Sequence, residues 1–164
     1  MKPLLVFLFV LNFLLSSQAQ PTTFILLRHA EKENDGTKNP DLTEAGKNRA
    51  VSLVKLLIKT KIDAIYSTSF KRTENTVAPL AKAHKLTLGT YDGSRVEEID
   101  KMIKNFLGGT IVLCGHSNTT PAMINYLTGH PNEYKTFEDD DYGNLVIVTV
   151  VERGKSTNVT WLRY

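Results

Sequence analysis

Cysteine is nearly missing from this sequence: Cys114 is the single one among 164 residues. An intrachain disulfide is thereby excluded. Its setting in the apolar run Ile111-Val112-Leu113-Cys114 reads as a small buried hydrophobe, because a nucleophilic thiol needs an accessible, electropositive niche. A basic block is missing as well. The formal net charge is only +3 and the lysines are scattered, whereas a nucleic-acid binder carries a basic face or stripe, so no nucleic-acid partner is expected. No apolar run is long enough for a membrane span. The longest, Leu4 to Leu15, holds roughly twelve apolar residues broken by Asn12, too few to cross ~30 Å of hydrocarbon as a helix. Neither His-x-His nor His-Glu-x-x-His occurs, so no metal-ligating motif is present and no metal or other cofactor is expected. Internal repeats, low-complexity segments and linkers are also lacking. One domain is expected, at a length that allows a sizeable core.

The start of the chain has the parts of a secretory leader. Lys2 supplies a positive first region, Leu4 to Leu15 the apolar stretch, and Ser17-Gln18-Ala19 a small-x-small cleavage site. Residues 1–19 are therefore expected to be a cleaved signal peptide. Residues 20–164 then form the mature domain, without a stable membrane span, in the periplasm or outside the cell.

The mature chain alternates short apolar runs with amphipathic ones. Thr23 to Leu27 reads as a strand buried on both faces, ending in Arg28-His29-Ala30-Glu31. A helix follows from an N-cap at Thr43 to about Ile58, with Ala50, Leu53, Val54 and Leu57 on one face. Gly46 near its start costs a helix about 1 kcal/mol relative to alanine, which points to a close approach by another backbone. Strands are expected over 64–67, 87–89, 110–114, 145–151 and 159–164, and helices over 70–84, 97–107 and 120–127. Gly154-Lys155 has the composition of a hairpin turn. Strands alternating with helices predict an α/β fold: a three-layer α/β/α sandwich around a mainly parallel, mixed central sheet.

In such sheets ligands sit beyond the carboxyl ends of the strands. Two strand ends carry a histidine there, in Arg28-His29 and Gly115-His116, and a third leads into Lys71-Arg72 on the first turn of a helix. Two imidazoles, two guanidiniums and helix N-termini suit a phosphoryl group. The arginine fork matches phosphate oxygens, and an imidazole serves as a covalent nucleophile.

Arg28-His29-Ala30-Glu31, Leu42-Thr43-Glu44-Ala45-Gly46, Ser67 to Thr76 and Gly115-His116-Ser117, in that order, resemble the motifs of the histidine phosphatase superfamily, the phosphoglycerate-mutase-like fold. The resemblance spans nearly all of the mature chain. It implies a metal-independent phosphatase acting on a small phosphorylated substrate, with His29 as the residue that is phosphorylated. Arg28, Arg72 and His116 would hold the phosphoryl group, and Asn118 is a further candidate for substrate binding. It also implies a neutral His29 whose pKa is pushed down by the two guanidiniums and whose other ring nitrogen donates to a backbone carbonyl.

Two features depart from the family pattern. Ala30 stands where glycine is usual, and neither the glutamate-arginine motif that the mutase branch carries after its third strand nor that branch's longer insertions are evident, so phosphomutase activity is not expected. For the general acid the sequence offers Asp92, after the third strand, with Glu31 as the alternative. The competing functional reading is a non-catalytic phosphate-binding protein on the same fold. A metal site on His29 and His116 is disfavoured because the adjacent arginines repel a cation.

Overall fold

The computed structural model describes residues 20–164; the expected leader, 1–19, lies outside them. Six strands form one sheet: β1 (Thr22–Arg28), β2 (Ala64–Ser67), β3 (Leu88–Thr90), β4 (Thr110–Gly115), β5 (Asn144–Glu152) and β6 (Ser156–Arg163). Their spatial order is β3-β2-β4-β1-β5-β6. The first four run parallel, and β5 and β6 are antiparallel. Four helices connect them: α1 (Glu44–Leu57), α2 (Lys71–His84), α3 (Glu98–Asn105) and α4 (Thr119–Thr128). This is the α/β sandwich with a mixed, mainly parallel sheet that the alternating pattern predicts.

Successive side chains of a strand point to opposite faces, so the apolar runs of β1 and β4 supply two cores. Phe24, Leu26, Ile111 and Leu113 pack with Ile99 and Met102 of α3 and with Met123, Ile124 and Leu127 of α4. Ile25, Leu27, Val112 and Cys114 pack with Leu53 and Leu57 of α1 and with Val77 and Leu80 of α2. Burial on both faces explains why these strands read as continuous apolar runs. Among the described residues no helix is long and apolar enough to cross a membrane.

The last strand begins three residues earlier than its apolar pattern indicates. Glu152 pairs with Ser156 across a short turn in which Gly154 takes φ +75°. The polar start Ser156-Thr157-Asn158 hid the strand, because β6 is an edge strand with most side chains exposed. Alternation fades where neither face is covered.

Gly46 meets the close approach its position in a helix implied. A Cβ there would lie 2.2 Å from the carbonyl oxygen of Glu31. That oxygen already accepts the backbone N–H of Thr43 at 2.9 Å, so helix α1 starts against the loop that follows β1. The Thr43 hydroxyl caps the same turn by accepting from the Gly46 N–H at 3.0 Å. Gly46→Ala is therefore expected to destabilise by about 1–3 kcal/mol, the usual cost of overpacking, instead of the ~1 kcal/mol gain a helical alanine brings. Urea unfolding of the two proteins checks the sign.

Candidate active site

The register of the sheet brings the two histidines together. Arg28 on β1 pairs with Gly115 on β4, so His29 and His116 each stand one residue beyond the ends of adjacent parallel strands. The His29 N–H donates to the Gly115 carbonyl at 2.9 Å, and the rings meet edge to face with centroids 5.4 Å apart. A Cβ at residue 115 would come within 3.0 Å of the Thr119 hydroxyl and of Tyr91 Oη. Glycine before His116 is thus a matter of space.

His29 is 3% exposed, and its Nδ1 lies 2.8 Å from the Ala30 carbonyl. A carbonyl only accepts, so Nδ1 carries the proton and Nε2 keeps a lone pair. Burial holds the pKa of this imidazole down at about 3, against an upward pull from the Ala30 hydrogen bond and with smaller downward effects of Arg28, His116 and Arg72. The neutral ring was expected; its main cause is burial, with the guanidiniums second.

His116 is likewise held down, to about 4, first by burial and then by Arg72 and Arg28. Its Nε2 lies 2.9 Å from the Thr68 hydroxyl, which is 3.0 Å from that of Thr73. Thr73 in turn lies within 2.8 Å of the carbonyls of Thr68 and Phe70. These hydroxyls orient His116 from the β2–α2 connection. Thr76 does the same for the β1 end, accepting from the Ala30 N–H at 2.9 Å and donating to the Arg72 carbonyl at 2.6 Å. The threonines carry no periodic or motif signal beyond the Ser67 to Thr76 stretch, and their roles emerge only in three dimensions.

Arg28 is 4% exposed, and Arg28 and Arg72 each keep a buried Nε that has no hydrogen-bond partner among the described residues. The like charge of Arg28, after burial, lowers the pKa of Arg72. Two guanidiniums with unspent donors beside two neutral imidazoles form a site for an anion.

The acidic stretch Glu138 to Asp141 reads from composition as a solvated loop, with a border of the pocket as the alternative; its backbone does border this site. Arg28 Nη1 donates to the Glu138 carbonyl at 2.7 Å and to that of Asp141 at 3.3 Å. The loop ends on Tyr142, whose ring lies 4.3 Å from the Arg28 guanidinium carbon and 6.0 Å from the His29 ring.

On the other side, His116 forms one wall of an open cavity of about 670 Å³, lined also by Phe70, Asp92, Ser94, Glu98 and Thr119. Asp92 is therefore near the site, but its Oδ1 accepts from the Ser94 N–H at 2.9 Å and the Ser94 hydroxyl at 2.6 Å. These bonds lower its pKa, the state of an ionised carboxylate and not of a proton donor at neutral pH. Glu31 is gripped by the Arg49 fork at 2.6–3.0 Å, which lowers its pKa too. Asn118 is exposed and does not line the cavity; Thr119 does, and its hydroxyl accepts the His116 N–H at 2.9 Å. Among the described residues no three His, Cys, Asp or Glu side chains group as metal ligands.

Residues 24–95, which contain Arg28, His29 and Arg72, match the sequence profile of the histidine phosphatase superfamily (branch 1). Over that segment the chain is similar to the histidine phosphatase superfamily. Phosphoserine phosphatase 1 of Hydrogenobacter thermophilus is 40% identical to it over 82 residues, 46% of this chain and 38% of the relative. The match thus spans well under half of that relative's length. The fold extends much further than the sequence match. A putative alpha-ribazole-5'-P phosphatase from Escherichia coli superposes with TM-score 0.71 at 16% identity, covering 87% of this chain and 96% of its own. A mycobacterial glucosyl-3-phosphoglycerate phosphatase gives 0.69 at 14% identity, covering 87% and 97%.

The buried neutral histidine leaves a signature in stability. The folded-state pKa of His29, about 3, lies below its ordinary 6.5. Between those values the unfolded chain binds the additional proton, so stability falls as the pH drops from 6.5 towards 3. From pH 7 to pH 4.5 the loss traceable to His29 is roughly 3 kcal/mol. Urea midpoints should decline more steeply over this range in the wild type than in His29→Gln.

Proposed function

We propose that this chain is a phosphatase that hydrolyses phosphate monoesters through a phosphohistidine intermediate on His29. The observation that carries the reading is a neutral, buried imidazole with its Nδ1 proton committed to Ala30, within electrostatic reach of two guanidiniums with unspent donors. Nε2 attacks phosphorus, the bond from phosphorus to the alcohol oxygen breaks, and phospho-His29 forms; the departing oxygen takes its proton from Asp92 where that carboxyl is protonated and otherwise from solvent in the open cavity. Water then attacks the phosphorus, and inorganic phosphate leaves with His29 restored. Arg28, Arg72 and His116 stabilise charge on the phosphoryl oxygens, a contribution in which one preorganised donor is worth on the order of 10²–10³ in rate. The arginines supply positive charge at the phosphoryl group, so no metal enters the sequence of steps.

Asp92 stands on the leaving-group side and acts as a general acid only where the pH is low enough to protonate it. At neutral pH it contributes its negative charge. The identity to a phosphoserine phosphatase over 82 residues supports a monoester as substrate. Part of the same proposal is export: cleavage after Ala19 would deliver residues 20–164 to the periplasm or the medium. Rapid acid and base quench during turnover of p-nitrophenyl phosphate in the presence of a chelator tests the mechanism. Acid-labile, base-stable phosphate bound to protein is expected. Tight phosphate binding without any turnover would instead mark a non-catalytic phosphate-binding protein.

A further inference from the structure

We infer that the alcohol portion of the substrate carries an ammonium group, received in the cavity beside His116 by the carboxylates of Asp92 and Glu98. The inference rests on the phosphatase reading of this site. His116 belongs both to the phosphoryl clamp and to the cavity wall, so a group esterified to the bound phosphate extends into that space. About 670 Å³ is ample for a small alcohol.

The lining separates charge. Arg28 and Arg72 sit at the phosphoryl end, whereas among the described residues no lysine or arginine lines the cavity, and the carboxylates that do are Asp92 and Glu98. Ser94 occupies Asp92 Oδ1, and Oδ2 receives no hydrogen bond from the described residues. Glu98 Oε2 accepts the Asp92 N–H at 3.3 Å, and its other oxygen has only Lys101 at 3.7 Å, an exposed side chain. The nearby Arg95 is paired with Glu97 at 3.0 Å. Hydroxyls of Thr68, Ser94 and Thr119 add neutral polar contacts along the walls.

The loop that binds Arg28 through its carbonyls also carries the exposed acids Glu138, Asp139 and Asp140. A leaving group with its own carboxylate or second phosphate therefore meets the negative charge of Asp92 and Glu98 in the cavity. A zwitterion, phosphate at one end and ammonium at the other, matches the arrangement.

The test compares kcat/KM for four alkyl monoesters of similar size, with p-nitrophenyl phosphate as the reference for turnover. Phosphoethanolamine is expected to exceed glycerol 3-phosphate by about fivefold, the scale of one partly solvated ion pair. 3-Phosphoglycerate should be the poorest, and phosphoserine, with both charges, should fall between. Glu98→Gln should reduce the ratio of phosphoethanolamine to glycerol 3-phosphate severalfold, and ~0.5 M NaCl should compress it in the wild type without any substitution. Turnover of p-nitrophenyl phosphate with a ratio at or below one overturns the inference alone, as does a ratio that neither Glu98→Gln nor salt moves. Failure to turn over any of the five compounds removes the phosphatase reading and the inference with it.

Discussion

Replacing His29 with alanine is expected to abolish the trapped phosphoenzyme and to lower kcat/KM by about 10⁴-fold or more, the order seen when a covalent nucleophile is removed from a preassembled site. The argument is geometric. His29 Nε2 is the ring nitrogen left with a lone pair once Nδ1 has donated to Ala30, and the ring is neutral down to a pH of about 3. Alanine leaves Arg28, Arg72 and His116 in place, so phosphate should still bind, and a competition assay with inorganic phosphate would show it. Loss of turnover with retained binding is the expected pair of results. The alternative nucleophile is His116, whose ring lies 5.4 Å away. Phosphate still trapped on the His29→Ala protein would transfer the role to it.

The sheet and the two strand-end histidines were legible in the sequence because burial on both faces leaves an uninterrupted apolar run. Such a run also marks where the strand stops. Arg28-His29 and Gly115-His116 each follow one, and a parallel register then makes them neighbours. Arg72 was legible by its place in the first turn of a helix after a third strand end. What lay hidden depends on folding back from a distance. Tyr142 and the carbonyls of Glu138 and Asp141 reach Arg28 from more than a hundred residues away. Composition reported the acidity of the stretch and left open whether it bordered the pocket. The same limit applies to Asp92: a turn-forming Asp and a catalytic Asp look alike in sequence, and only the Ser94 hydrogen bonds distinguish its ionised state. Asn118 and Thr119 are adjacent polar residues at the start of a helix, and only the backbone path decides which of them faces the cavity.

Arg72→Lys should lower kcat about 10²–10³-fold while leaving stability within about 0.5 kcal/mol of wild type. Both halves follow from what the side chain touches. Its guanidinium lies 4.5 Å from the Phe70 ring centroid, and its buried Nε has no hydrogen-bond partner among the described residues, so the fold gains little from it. Its own charge is opposed by Arg28, an arrangement that improves only when an anion arrives. Lysine preserves the charge but offers a point donor where arginine offers a planar fork, and the difference counts most for oxygens that gain charge in the transition state. The effect should therefore fall on kcat more than on KM. Phe70 also meets His116 edge-on at 5.0 Å, so the pH dependence of the variant reports whether His116 has shifted with it. Arg28→Lys is the control with the opposite profile. Losing the 2.7 Å bond to the Glu138 carbonyl should release the loop that carries Tyr142, and stability should fall together with activity. Wild-type kcat in Arg72→Lys would remove its fork from the phosphoryl clamp and leave the transition-state charge to Arg28 and His116.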